Sequence, residues 1–220
     1  MLRPAFRATF AVGLALSLSA CTSTAEFASL AGTGSRLFDM SSVASSGHMV
    51  AANTGTTIPA ALLEQRMQDK KIGATRGTLV AYTGPEEPGT IVIEQSRQSL
   101  YFVEPDGKAK RYTVAVGAAQ NQWTGTSRVT AVHLQPGWTA PASMRRPGAG
   151  PAPVYASGAP DNPMGIGALT LSGGDYAIHG TNRPDSIGRA VSGGCFRMFN
   201  EDIADLMRRV RVGTKVVVHG

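Results

Sequence analysis

Cysteine is scarce in this chain, because only Cys21 and Cys195 occur among its 220 residues. No Cys/His cluster has the spacing of metal ligands, so the sequence predicts neither a metal site nor a cofactor. Aromatic residues make up only 6% of the chain, and Lys and Arg form no run. Nucleic-acid binding is therefore not expected, and the net charge of +6 favours only a mild attraction to anionic surfaces.

Long hydrophobic runs are also missing, and the apolar stretch at 10–18 is too short for a stable transmembrane helix. Arg3 and Arg7 precede it, which predicts a signal peptide over 1–20. The following Leu-Ser-Ala-Cys resembles a bacterial lipobox, which implies that Cys21 is lipidated and becomes the first mature residue. The alternative is ordinary cleavage after Ala20, which leaves Cys21 as a free thiol.

Lipidation of Cys21 would leave Cys195 as an unpaired thiol in an exported protein, and such a thiol is a candidate nucleophile. A disulfide between the two cysteines is not expected, because nothing holds them together. Thr22 stands where Asp often marks retention in the inner membrane. The expected location is therefore the periplasm, with the lipid in the inner leaflet of the outer membrane.

The chain divides into two parts after the signal peptide. Residues 21–88 are predicted to form a flexible tether, because Ser, Ala, Gly and Thr dominate its first half. One short amphipathic helix is expected within it, near 59–71. Residues 89–220 are predicted to form a single catalytic domain, and the chain is expected to be a monomer.

The domain is predicted to be mainly β and sandwich-like, with one or two packed helices. The sequence Pro105-Asp106-Gly107 predicts a hairpin turn. A helix is expected from Asn200, its cap, with apolar residues at i, i+3, i+4 and i+7 on one buried face. Strands are expected at 91–93, 100–103, 112–116, 127–133, 168–171, 176–178 and 215–218.

The segment 138–167 is rich in Pro and Gly, and the sequence predicts neither strand nor helix there. A loop of that length in a compact domain is usually functional or disordered. Trp138 and Tyr155 could cover a substrate, as could Met144, Arg145 and Arg146. A substrate lid is the preferred interpretation over an inert excursion.

His179 and Cys195 stand at the two ends of one loop, which predicts a thiol nucleophile with its base. Gly193 and Gly194 precede the sulfur and can aim backbone N–H groups at an oxyanion. Each residue alone has a structural explanation, in which the Cys or His simply fills the core. The ordered combination is much more specific.

From Gly89 to His219 the chain resembles the L,D-transpeptidases with a YkuD-type catalytic domain, through "YAIHGTNRPDSIG" and "SGGCFRM". The resemblance implies acyl transfer on peptidoglycan stem peptides. Cys195 would be the nucleophile and His179 the base, oriented by the carbonyl of Gly180. The N–H groups of Gly193, Gly194 and Cys195 would form the oxyanion hole.

The resemblance also suggests substrate contacts at Arg197, Ser192, Trp138 and Tyr155. Arg197 could bind a substrate carboxylate or brace the loop. Family members often have His where Gly193 stands, so the cleft wall lacks a side chain here and substrate choice is affected. Two alternatives remain open: a carboxypeptidase or endopeptidase of the same fold, and a wall-binding lipoprotein without activity.

Overall fold

The computed structural model describes residues 49–50, 53–55, 57–141, 145, 148 and 150–220. The predicted signal peptide, Cys21 and the first part of the predicted tether lie outside these residues, as do Met144 and Arg146. Within the described part of the chain, no helix is long and apolar enough to cross a membrane.

The described residues form a mainly β fold with two α-helices, as predicted. The helices are α1 (Ala60–Asp69) and α2 (Asn200–Met207). The strands are β1 (Met49–Val50), β2 (Asn53–Gly55), β3 (Thr78–Ala81), β4 (Ile91–Glu94), β5 (Ser99–Glu104), β6 (Lys108–Thr113), β7 (Val116–Gly117), β8 (Gly125–Leu134), β9 (Gly137–Thr139), β10 (Val154–Tyr155), β11 (Gly167–Leu171), β12 (Ala177–His179), β13 (Ala190–Ser192), β14 (Phe196–Arg197) and β15 (Lys215–His219).

One ten-stranded sheet organises these elements. Its strands lie in the order β14-β12-β11-β8-β15-β4-β5-β6-β3, and β2 also pairs with β8. The long strand β8 joins the two halves, because its first residues pair with β15 and its residues from Val129 onward pair with β11. A twisted sheet of this width curls, so that its inner face can enclose a core.

The core is built on the strands and the helix that the sequence predicts most clearly. Ile91, Val92 and Ile93 of β4 are all buried, because β15 pairs with one edge of β4 and β5 with the other at the centre of the sheet. Helix α2 and the residues after it bury the predicted apolar face against this core, which confirms the helical pattern. That face consists of Ile203, Leu206, Met207 and Val210.

The predicted hairpin turn between β5 and β6 is confirmed. Asp106 and Gly107 both have positive φ, at 59° and 63°, which Asp and Gly tolerate better than other residues. The predicted strand at 112–116 differs from the structure, because β6 ends at Thr113. The chain then leaves the sheet, and Ala115 exchanges two backbone hydrogen bonds with Arg197, at 2.9 and 3.0 Å.

Folded elements begin before Gly89, in the range predicted as a tether. Helix α1 agrees with the expected helix, and Glu64 on it pairs with Arg208 at 2.6 Å. Strand β3 extends the sheet beside β6, and Asp202 of α2 accepts hydrogen bonds from Thr75 and the Arg76 amide, each at 2.7 Å. The sequence does not reveal β3, because a short and largely exposed edge strand has no apolar alternation.

The segment 138–167 contains short strands that the sequence analysis did not predict. β9 pairs with β10 in antiparallel register, with Trp138 opposite Tyr155. Strands of two or three residues are too short to show an alternation of apolar residues between prolines and glycines. The described residues of this segment therefore include short paired strands.

A buried polar network ties α2 to the sheet. The Tyr112 hydroxyl donates to Asp205 at 2.7 Å, and Arg209 donates to Asp205 at 3.2 Å and to Glu104 at 2.8 Å. Burial, followed by the hydrogen bond to Asp205, raises the pKa of Tyr112 far above its ordinary value. The hydroxyl therefore stays protonated and remains a donor to the carboxylate.

We expect Tyr112→Phe to lower the free energy of unfolding by about 1–2 kcal/mol, because the buried Asp205 loses a donor. Urea unfolding of both proteins measures the difference. Tyr101→Phe is the control, since the Tyr101 hydroxyl makes no hydrogen bond within the described part of the chain, and its change should stay within about 0.5 kcal/mol. Equal effects of the two substitutions would contradict the role given to the network.

Candidate active site

His179 is the last residue of β12 and is buried between two neighbouring strands. β11 pairs with β12 on one side, with Ala168 opposite His179, and β14 pairs with it on the other. The His179 Nδ1 lies 2.6 Å from the Gly180 carbonyl oxygen. Because a carbonyl can only accept, Nδ1 carries the proton and Nε2 keeps its lone pair.

Cys195 is brought beside His179 by the parallel pairing of β12 and β14. Ile178 lies opposite Phe196, and His179 lies opposite Arg197. Cys195 immediately precedes β14, so the chain from 180 to 194 must form a loop that returns it to the histidine. Both side chains line one cavity, as the predicted pair of nucleophile and base requires.

The residues before Cys195 are fixed by their own hydrogen bonds. The Ser192 hydroxyl donates to the Cys195 carbonyl at 2.5 Å and accepts from the Gly194 amide at 3.2 Å. Trp123 Nε1 donates to the Gly194 carbonyl at 3.3 Å, and its ring stacks on Tyr176 at a centroid distance of 4.7 Å. The loop from Ser192 to Cys195 is therefore held by hydrogen bonds among its own residues and by one hydrogen bond from Trp123.

These bonds change the predicted oxyanion hole. Gly194 has φ of +119°, and its N–H donates to Ser192 instead of pointing to a substrate. The N–H groups of Gly193 and Cys195 make no hydrogen bond to the described residues, so they are the two available donors. Gly194 instead lets the chain turn, because a Cβ there would come within 2.8 Å of the Tyr176 ring.

The thiol and the imidazole are both neutral at neutral pH. Burial raises the pKa of Cys195, although a backbone hydrogen bond from Ala177 and the charge of Arg197 partly oppose the shift. Burial, followed by the charge of Arg197, lowers the pKa of His179 to about 4. The site therefore holds a thiol and a neutral base instead of a preformed thiolate and imidazolium.

The Cys195 thiol is hydrogen-bonded to a backbone carbonyl in this structure and not to the imidazole. Cys195 Sγ lies 3.7 Å from the carbonyl oxygen of Asp175, and none of the hydrogen bonds among the described residues joins it to His179. Catalytic hydrogen bonds often form only when substrate binds.

The cavity around these residues has a volume of about 380 Å³. Part of the predicted lid forms its wall, and Ser192, Gly193 and Arg197 also line it. Tyr155 does not line the cavity, although its ring contacts Trp138 at a centroid distance of 5.7 Å. Arg145 is exposed and does not line the cavity. The wall residues from the lid segment are Trp138, Pro141, Pro163 and Met164.

A second histidine, His133, also lines the cavity. His133 Nε2 lies 2.9 Å from the Thr170 hydroxyl, and Ala131 lies beside it in the wall. The two residues are separated by two positions on β8, so a strand places them on the same face. That periodicity was the signal available in the sequence. Among the described residues, no three His, Cys, Asp or Glu side chains are grouped to hold a metal ion.

Arg197 serves the site with both its backbone and its side chain. Its backbone pairs with Ala115, which braces the strand after the nucleophile. Its half-buried guanidinium lines the cavity and makes no ion pair with any described carboxylate. An unpaired guanidinium in a cleft is suited to binding a carboxylate.

The sequence around this site matches one known protein family. The family model described as the L,D-transpeptidase catalytic domain matches residues 88–218. The chain belongs to the L,D-transpeptidase family. The matched residues contain β4 to β15 apart from the final residue, and therefore both His179 and Cys195.

Relatives within the L,D-transpeptidase family agree with this assignment. The chain is 32% identical to YkuD of Bacillus subtilis over 166 residues, which cover 74% of this chain and 87% of YkuD. It is 39% identical to YbiS of Escherichia coli over 133 residues, which cover 57% of this chain. These residues span only 43% of YbiS.

A solved L,D-transpeptidase from Mycobacterium smegmatis shares the fold. It superimposes with a TM-score of 0.50 over 60% of this chain and 58% of the other, at 14% sequence identity. The likeness confirms the predicted fold class of an L,D-transpeptidase catalytic domain.

The neutral site predicts slow alkylation of Cys195 by iodoacetamide at pH 7. The rate should rise with a midpoint above that of a free cysteine, because burial raises the thiol pKa and only the thiolate reacts. Arg197→Gln should move the midpoint higher, since the guanidinium favours the thiolate. Mass spectrometry of the peptide containing Cys195 measures the adduct, and Cys195→Ala gives the background. A rate that stays constant from pH 5 to 8 would instead show a preformed ion pair.

Proposed function

We propose that this protein is a cysteine-dependent acyltransferase that acts on peptidoglycan stem peptides. One observation carries the proposal: a thiol, a buried imidazole with a fixed Nδ1–H and an unpaired guanidinium line the same cavity. Cys195 would form a thioester with the third residue of a tetrapeptide stem and pass that acyl group to an amine.

In the first half-reaction, the Cys195 thiol gives its proton to Nε2 of His179 as the sulfur attacks the peptide carbonyl. The oxygen becomes an oxyanion that accepts from the N–H groups of Gly193 and Cys195. The bond to D-Ala then breaks, and its amine leaves with the proton from His179. The low pKa of His179 favours this second transfer, because the imidazolium is a strong acid in its buried position.

In the second half-reaction, an acceptor amine loses a proton to His179 and attacks the thioester carbonyl. Collapse of the intermediate forms the amide and releases the sulfur, which regains the proton. The acceptor is another stem, a free D-amino acid or a protein amine. Trp138, Pro141 and Met164 give the wall of the cavity an apolar part.

Substrate recognition would use the charged and apolar parts of the cavity wall. Arg197 would pair with a carboxylate of the stem, and the N–H groups of Gly193 and Cys195 would face the reacting carbonyl. Trp138 would cover the peptide, with Tyr155 supporting its ring. Gly193 leaves room at the wall for a branch of the substrate or for the acceptor.

We also propose that a lipid on Cys21 anchors the protein in the periplasm, at the inner leaflet of the outer membrane. The Leu-Ser-Ala-Cys sequence supports the lipid on Cys21, and Thr22 in place of Asp supports the outer membrane. In cells given labelled palmitate, the wild type should become labelled and Cys21→Ala should not. Label on both proteins would contradict an anchor at Cys21.

The reaction is tested by incubating the full-length protein, in detergent, with purified disaccharide tetrapeptides. Mass spectra should show crosslinked dimers together with released D-Ala. Release of D-Ala alone would show the hydrolase, and no change would exclude both activities. Cys195→Ala should lose all turnover, and His179→Gln should lose about 10²–10⁴-fold.

Arg197→Gln should raise KM by about tenfold or more, because a charged hydrogen bond to the substrate contributes about 1.5–3 kcal/mol. Arg211→Gln is the matched control, since Arg211 is exposed and outside the cavity wall. Steady-state kinetics with the same tetrapeptide measures both variants. An unchanged KM in Arg197→Gln would contradict carboxylate binding and leave Arg197 as a brace.

A further inference from the structure

Asn200 is the first residue of α2 and does not line the cavity that contains His179 and Cys195. The sequence predicts it as the helix cap, but the N-cap is Phe199 and the Asn200 side chain bonds elsewhere. Its Oδ1 accepts from the amides of Thr181 at 3.1 Å and Ile166 at 3.2 Å. Its Nδ2 donates to the Thr181 carbonyl at 2.9 Å. Three bonds therefore attach this side chain to two loops.

One of these bonds leads directly to the histidine. The N–H of Thr181 and the C=O of Gly180 belong to one peptide group, which is planar. Asn200 holds that group at its N–H end, and His179 Nδ1 lies 2.6 Å from its carbonyl oxygen. Fixing one end of the plane fixes the direction of the other.

We propose that Asn200 is a positioning residue that holds the Nδ1–H form and the orientation of His179 through the Gly180–Thr181 peptide group. Hydrogen bonds in such a chain polarise one another, so the Asn200 bond also strengthens the carbonyl as an acceptor. The effect on turnover rests on the proposed acyl transfer. The effect on the imidazole does not.

Two glycines are needed for Asn200 to come this close. A Cβ on Gly180 would lie 2.3 Å from Asn200 Oδ1, and a Cβ on Gly165 would lie 2.1 Å from it. Gly165 also has φ of +63°, a conformation that favours glycine. The backbone at Gly165 and at Gly180 therefore leaves just enough space for the side-chain amide of Asn200.

A neutral amide suits the position better than a carboxylate. Burial and the charge of Arg197 lower the pKa of His179, and hydrogen bonds to the backbone of Gly180 and Pro163 raise it. No carboxylate contributes to the shift. A carboxylate at position 200 would stabilise the imidazolium. Asn200 can thus orient the ring without adding a charge that would raise its pKa.

The test is ¹⁵N NMR of the histidine rings in full-length protein, with His179 assigned by its loss in His179→Gln. The wild type should show a protonated Nδ1 and an unprotonated Nε2. In Asn200→Ala the two nitrogens should move toward averaged shifts, because the carbonyl is no longer held. Asn200→Asp keeps the acceptor, so it should retain the Nδ1–H signal while the ring titrates at a higher pH.

Kinetics on the same proteins separate positioning from binding. Asn200→Ala should lower kcat by about 10–100-fold, by analogy with the loss on removing a residue that orients a metal-ligating histidine. Its KM should change by less than about twofold, because Asn200 does not line the cavity. Asn200→Asp should recover part of kcat.

Asp202→Ala is the matched control, since Asp202 is a buried anchor on the same helix that bonds Thr75 and Arg76 instead of the His179 loop. It should lower stability and leave the Nδ1–H signal unchanged. The proposal is overturned if Asn200→Ala keeps the wild-type ring signals, or if Asp202→Ala alters them equally.

If Asn200→Ala does not fold, Asn200→Ser decides, because its hydroxyl is too short to reach both loops. Absence of transfer by the wild type would reject the proposed function and leave the NMR result intact.

Discussion

The parallel contact between β12 and β14 is the interaction on which the candidate site depends. Only two residue pairs form it, yet they set His179 opposite Arg197 and place Cys195 immediately before the first residue of β14. So short a contact contributes few hydrogen bonds of its own. It is held in place by the antiparallel bridge from Ala115, by Trp123 on the Gly194 carbonyl and by the buried residues beneath it.

The burial that positions these groups also sets their protonation. Removal from water raises the pKa of Cys195 and lowers that of His179, so neither group is charged before substrate arrives. Charge would appear only as the proton moves and the carbonyl becomes an oxyanion. The N–H groups of Gly193 and Cys195 would then stabilise the oxyanion, because little water would compete with them.

The sequence predicts those parts of the fold in which local pattern and burial agree. The central strand β4, the apolar face of α2 and the Asp106-Gly107 turn follow directly from composition and periodicity. Strand β3 escapes prediction because it is an exposed edge. The hydrogen bonds of Asn200 could not be predicted, because they join segments that are distant in sequence. The hydrogen bond from the Gly194 N–H to Ser192 could not be predicted either, because it depends on the exact path of the loop.

If Cys195 carries the acyl group during the reaction, intact-protein mass spectrometry can detect the modified protein. The full-length protein is mixed with a disaccharide tetrapeptide without an added acceptor and quenched at short times. We expect a mass increase equal to the substrate minus D-Ala, located on the peptide that contains Cys195 and missing from Cys195→Ala. Release of D-Ala without any adduct, or an adduct on another residue, would contradict it.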